Sequence, residues 1–285
     1  MEKSLYYKPS NKFSILSFLG LFLGSALAGI ILSIPYLWGV RMIPYTKITI
    51  LLAVLLGGVL GWIGNLLIGA FKVRNRPLAI LAVLLGILVY TYFKWSSYVS
   101  FQYSESSSYI ELLLPLMLNP VALWDGIMEI NKLGTWSLND NNETVKGIML
   151  TLVWAGEFLI IAGIQIGLML ERPTEPFIES ENKWAVKNEA VVCMRHFSPK
   201  EMKTAIEQDP SVMLQYVDVP AVVSSINHVR IDHYHSSDYS ENYITVKEIE
   251  IKNGKPNEYK VIKKLAVSRA FISDLYAKAG VSFAQ

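Results

Sequence analysis

Hydrophobic and polar positions divide the chain into two unlike parts. Up to Leu170 the apolar residues come in long runs; from Glu171 onward they alternate at short period with charged ones. A bilayer-spanning helix takes about 20 mostly apolar residues. Residues 13–38, 48–71 and 148–170 meet that demand outright. Residues 78–95 are shorter and reach it with Trp95 and Tyr98 in the headgroup zone. Buried helices of a soluble protein do not account for four such runs so close together. The predicted fold class is therefore an all-α four-helix membrane bundle, residues 13–170, followed by a small soluble α+β domain with an antiparallel sheet, residues 171–285. Residues 1–12 form a short tail before the first span.

Charge orients the bundle. Lys3, Lys8 and Lys12 precede the first span, and Lys72, Arg74 and Arg76 fill the connection between the second and third. The opposite side carries Arg41 and Lys47, then a segment from Lys94 to Gly147 with three lysines against six acidic residues. The positive-inside rule then places both chain ends in the cytoplasm. Tyr36, Trp38, Tyr45, Tyr90, Tyr92 and Trp95 cluster at the outward ends, as interfacial aromatics do. Lys3 to Ala28 also imitates a cleavable signal peptide, but the apolar run continues through Leu32, which a retained helix needs and a signal does not.

In lipid, helices associate through close backbone approach and internal hydrogen bonds. Gly20, Gly24 and Ala28 share one face of the first span, and Gly57 and Gly61 one face of the second. The expectation is that these two faces meet; a homodimer seam is the rival. Polar residues inside the spans are Ser25, Asn65, Tyr90, Glu157 and Gln165. With the fourth span ending at Leu170, Glu157 lies roughly 20 Å above the inner boundary, level with Tyr90 and Ser25. A neutral Glu157 bonded to one of these would lock the helix, with Gln165 level with Asn65. A proton or cation relay through Glu157, Asn65 and Gln165 is the alternative.

Between the third and fourth spans, the outer segment 96–147 contains an Asn119-Pro120 helix start and a three-four repeat of apolar residues. These predict an amphipathic helix over 120–133 that ends at Gly134 and lies against the outer headgroup layer. Asn142-Glu143-Thr144 fits a glycosylation sequon.

The tail contains 15 basic and 16 acidic residues, a balance that gives no basic surface for nucleic acid. Strands are predicted near 190–197, 225–235, 243–252 and 258–266, with Asn253-Gly254 as a hairpin turn. Ser198 and Glu201 read as a capping box, and a change of apolar parity within 243–252 reads as a bulge. A last helix starts at Ser268 and stops at Gly280. In VRIDHYHSSDY, His233 and His235 project from one strand face and are the candidate metal ligands; an exposed polar strand is the plainer reading. The lone Cys193 excludes an internal disulfide framework. No phosphate loop, nucleophile elbow or paired zinc-ligand motif is present.

The segments YYKPSNKFS, KVRN, INKLGTWSL and LVWAGE resemble a group of uncharacterised bacterial four-span membrane proteins with a cytoplasmic C-terminal domain. Some members carry Cys-x-x-Cys after the last span. The corresponding stretch here is PFIESENKW, with Ile178 and Glu181 at the cysteine positions, so the resemblance implies no zinc site. It implies a bacterial inner-membrane protein and carries over no catalytic residue.

The expected function is a non-catalytic anchor, scaffold or sensor working through the cytoplasmic domain. Expected contacts are membrane lipid, a cytoplasmic protein or small ligand, and a second copy of the chain, but not nucleic acid. The other class is a small oligomeric transporter or channel using Glu157. Apart from a metal at His233 and His235, no cofactor is implied.

Overall fold

In the computed structural model, the described residues are 5–12, 14–42, 46–103, 109–135, 144–217 and 226–281. Tyr45, the side chain of Lys47 and residues 142–143 of the sequon lie outside them. The chain forms two compact units, residues 10–174 and residues 1–9 with 175–285.

The first unit is the membrane bundle. Four helices are long and apolar enough to cross a bilayer: α1 (Ile15–Met42), α2 (Thr46–Phe71), α3 (Arg76–Tyr103) and α6 (Ile148–Met169). Ser14 begins α1, accepting at its hydroxyl from the amide of Ser17 (3.4 Å). Asn75 caps α3 through the amide of Leu78 (3.0 Å), where an end inside the KVRNR turn would otherwise leave donors unmet. α3 extends two turns beyond its apolar run. Lys94, Ser96, Ser97 and Ser100 are polar yet buried, so the helix continues inside protein where its side chains stop matching lipid.

α1 packs against both α2 and α3, and α2 packs against α6. The glycine stripes serve different neighbours. A Cβ at Gly20 or Gly24 would collide with Phe71 or Leu67 of α2, whereas one at Gly57 would meet the Ile161 carbonyl at 3.0 Å and one at Gly61 the Leu168 Cβ at 2.9 Å. So the first stripe faces α2, as expected, but the second faces α6, not α1. Ala28 is half-buried. Both stripes are filled within one chain.

α4 (Tyr109–Leu118) and α5 (Pro120–Leu133) are joined at a bend of 117°. α5 has the predicted bounds because its punctuation is complete: Asn119 accepts from the amide of Ala122 (3.1 Å), and Gly134 ends the helix at positive φ (84°), where a Cβ would strike the Val145 carbonyl. Leu123 and Ile130 bury against Val99 of α3, capping one end of the bundle.

The second unit is an α+β domain. Strands β3 (Val186–Arg195), β4 (His228–His235), β5 (Asn242–Lys252) and β6 (Lys255–Val267) form an antiparallel sheet in that order. A small hairpin, β1 (Phe177–Ile178) and β2 (Lys183–Trp184), precedes it. α7 is Lys203–Gln208 and α8 is Arg269–Ala279. The core joins Ile231, Val246 and Ile262 of the sheet to Phe271, Ile272 and Leu275 of α8. Asn253 and Gly254 both have positive φ (53° and 73°), which the β5–β6 turn requires. A strand absent from the sequence expectation comes from the other end of the chain. Tyr6 bridges Leu265, the Ala266 amide donates to the Leu5 carbonyl (2.9 Å) and the Tyr7 amide to that of Lys264 (2.9 Å). The N-terminal tail is thus the edge strand beside β6.

Three expectations need correction. β3 begins four residues early because two extra residues between Asn188 and Val192 bulge outward, with Ala190 at φ 49°. The parity change in β5 is not a bulge of β5, which pairs regularly with β4; the register shifts occur opposite β6, where Lys264 has φ 60°. The Ser198–Glu201 contact forms (3.4 Å), but it closes an isolated turn, and the helix begins only at Lys203.

Candidate functional site

α3 and α6 are neighbours that approach closely at few points, and two polar pairs bridge the gap between them. The Lys94 ammonium lies 2.5 Å from Oε1 of Glu157, and the Tyr90 hydroxyl donates to Oε1 of Gln165 at 3.1 Å. Helix directions explain the pairing. A Cα–Cβ bond tilts toward its helix N-terminus, so side chains of α3 lean toward the KVRNR end and those of antiparallel α6 lean away from it. Each pair therefore reaches toward its partner.

This geometry corrects the expected partners of Glu157. The carboxylate is ion-paired with Lys94, not hydrogen-bonded to Tyr90 or Ser25. Ser25 is buried, but its Cβ lies 3.0 Å from the position a Cβ would take at Gly86, so it packs α1 against α3. Asn65 is half-buried on α2, while Gln165 takes Tyr90 as its partner. The misplacement traces to the end of the last span. The stretch long and apolar enough to span runs from Ile148 to Thr174, α6 and a short 3-10 turn after it, which lifts Glu157 to about 25 Å from that end. Lys94 is about 27 Å from Arg76, so the two are level. Lys94 follows the apolar run directly, and its position there reads as an outer flank; only the inward lean of its side chain makes it a core residue.

Glu157 and Lys94 face a cavity of about 250 Å³ at the end of the bundle remote from the KVRNR turn. Arg41 lines its rim; Tyr36, Trp95 and Trp154 line its sides. The Lys94 ammonium sits 5.6 Å from the Tyr36 ring centre and 5.8 Å from that of Trp95, within cation–π range. Trp95 and Trp154 meet edge to face at 4.8 Å. The site thus combines two cations and one carboxylate in an aromatic enclosure. Its chemistry suits binding an anion or holding charge in place.

The histidine pair of the α+β domain is held by hydrogen bonds. His233 and His235 are buried beneath α8, not on an exposed strand. Asn242 donates to the Tyr239 carbonyl (2.7 Å), which turns its Oδ1 toward His233 Nε2 (3.1 Å). That nitrogen then donates, and Nδ1 accepts from the Tyr276 hydroxyl (2.9 Å). His235 Nδ1 donates to the Ser236 carbonyl (2.7 Å), leaving Nε2 to accept from Asn188 (3.3 Å). All four ring nitrogens are engaged. Burial pushes the His233 imidazole down to about 4, and neighbouring His235 acts in the same direction. Among the described residues, no group of three or more His, Cys, Asp or Glu is placed to hold an ion.

On the opposite face of the sheet, buried Asp232 accepts from the bulged Ala190 amide (3.0 Å) and from Lys247 (2.8 Å), which also meets Glu258 (2.9 Å). This network fixes the β3 bulge. In the β1–β2 hairpin, Ile178 is fully buried, and Glu181 accepts from the amide and hydroxyl of Ser237 (2.6 and 2.7 Å). Apolar packing and one carboxylate hold the hairpin in place. No family model, curated protein or solved structure matches the chain.

Proposed function

We propose that the protein is a non-catalytic anchor of the bacterial inner membrane, with both chain ends in the cytoplasm, whose α+β domain binds a protein partner or a small ligand there. The observation that carries this reading is the pairing of polar groups inside the bundle. Lys94 with Glu157 and Tyr90 with Gln165 satisfy one another across the α3–α6 gap, as a structural tie does and a relay with a free carboxylate does not. The basic KVRNR turn supports the cytoplasmic assignment. Affinity capture with the full-length protein tests it: a saturable, one-to-one cytoplasmic partner lost on deleting residues 175–285 is expected, and an empty capture overturns the protein-partner reading. The cavity that reaches Glu157 favours a second reading, an oligomeric transporter. Reaction of a cysteine placed at Val153 or Ile161 with water-borne maleimide separates the two: transport requires both to react, whereas an anchor protects Ile161, which lies below the ion pair.

A further inference from the structure

The charged cavity has an apolar neighbour. A hollow of about 440 Å³ on the outside of the bundle is lined by Ile34, Leu37, Trp38, Met42, Phe101 and Tyr109, and shares Leu37 and Arg41 with the charged cavity. Ile34, Trp38 and Met42 are 42, 53 and 66% exposed, so this wall faces bilayer hydrocarbon. Phe101 and Tyr109 stack at 4.2 Å in the same hollow. Arg41 is held at the junction: Nη1 donates to the Phe101 carbonyl (3.1 Å), and the guanidinium sits 5.8 Å from the Phe101 ring centre. Among the described residues, that bond leaves most of the five guanidinium donors to the two spaces it borders.

We propose that the two spaces form one site for an anionic phospholipid, its phosphate beside Arg41 and one acyl chain in the Ile34–Met42 hollow. Charge favours it: among the described residues the cavity wall sets two cations against one carboxylate, and Lys94 is paired with Glu157, so Arg41 supplies the remaining positive charge. A guanidinium fork matches a phosphate. The buried Tyr36 hydroxyl lies in the same cavity wall as Glu157. A polar chamber opening sideways into an apolar wall fits an amphiphile whose chain already lies in the surrounding bilayer. The inference does not depend on what the α+β domain binds.

The test is native mass spectrometry of the full-length protein in detergent, titrated separately with palmitoyl-oleoyl phosphatidylglycerol, the matching phosphatidylcholine and glycerol 3-phosphate. One phosphatidylglycerol should be retained at a concentration at least tenfold below that needed for phosphatidylcholine, with no binding of glycerol 3-phosphate in that range. Arg41→Gln should abolish the preference, Ile34→Asn should weaken both lipids, and Lys132→Gln should change neither. Equal retention of the two lipids overturns the proposal. So does glycerol 3-phosphate binding as tightly as the lipid, which would mark a soluble-anion site, or a preference that survives Arg41→Gln. If Arg41→Gln does not fold, the three ligands on the unaltered protein still decide.

Discussion

Removing either half of the Lys94–Glu157 pair should destabilise the bundle, while replacing both should not. The contact is 2.5 Å long, and the two side chains are only 9 and 14% exposed. At an effective dielectric near 20, two charges at that distance attract by roughly 7 kcal/mol before the cost of desolvating each is subtracted. Glu157→Gln strands the ammonium. Its cost is bounded by that of neutralising a lysine at pH 7, about 4–5 kcal/mol from the ordinary lysine pKa. The faces of Tyr36 and Trp95 lower it by about 1 kcal/mol or more, so about 3 kcal/mol is expected. Lys94→Met strands the carboxylate against the same electron-rich rings, where the bound is about 4 kcal/mol. The double variant Lys94→Met/Glu157→Met removes both charges and should lie within about 1 kcal/mol of the unaltered protein, or be more stable. Unfolding of the full-length protein in mixed micelles with increasing dodecyl sulfate, read by tryptophan fluorescence, gives all four corners of the cycle. Single losses that add to the double within about 0.5 kcal/mol would show that the two groups do not interact, and the tie between α3 and α6 would have to be abandoned.

Other outcomes follow from the same geometry. His233 is neutral when folded, and burial holds its imidazole near 4 against the ordinary 6.5. Folding therefore excludes a proton that the unfolded chain binds below pH 6.5. The contribution is complete above that value and is lost as pH falls toward 4, by about 3 kcal/mol in total. Denaturant unfolding of the domain from pH 7 to 4, followed at Trp184, should show this slope, and His233→Gln should flatten it. Tyr6→Ala removes the hydroxyl bond to Glu207 and loosens the edge strand; a loss of about 1 kcal/mol and faster hydrogen exchange at the Ala266 amide are expected. Gly57→Val should cost about 1–3 kcal/mol because its Cβ meets α6 backbone, whereas Gly58→Ala, with nothing within 4 Å, should be neutral or stabilising in the same micelle assay.

Much of the fold was legible because its signals are local. Helix α5 reads directly from Asn119-Pro120 and Gly134, the β5–β6 turn from Asn253-Gly254, and the spans from unbroken apolar runs. The site was less legible, since its partners are set by how far one helix is raised against another. Counting rise from Leu170 put Glu157 beside Tyr90; the span ending at Thr174 puts it beside Lys94. A lysine next to an apolar run reads as a flank from sequence alone, because the direction in which its side chain leans depends on the neighbouring helix. The histidines misled for a related reason. Alternation placed them correctly on one strand face, but whether that face met solvent or α8 depended on Tyr276, 41 residues or more away in sequence. The N-terminal strand carries no strand signal of its own, and its partner lies some 260 residues on.

That strand also decides how often the chain crosses the membrane. Taken as one bent element, α4 and α5 are apolar enough for a fifth span. Yet residues 5–7 precede α1 and pair with residues 264–266, which follow α6. An odd number of crossings would place two strands of one sheet on opposite faces of a bilayer. The count must be even, so α4 and α5 together do not cross. Backbone satisfaction agrees: the Tyr92 hydroxyl donates to the Met117 carbonyl at 3.0 Å and lies 3.4 Å from that of Leu116, the carbonyls the bend exposes. Single cysteines at Gln102 and Lys146, in a Cys193→Ala background, should both react with an impermeant maleimide from the face opposite the one that labels Lys8→Cys. Labelling of 102 and 146 from different faces would make α4–α5 a true crossing, and the pairing of Tyr6 with Leu265 would then be physically impossible.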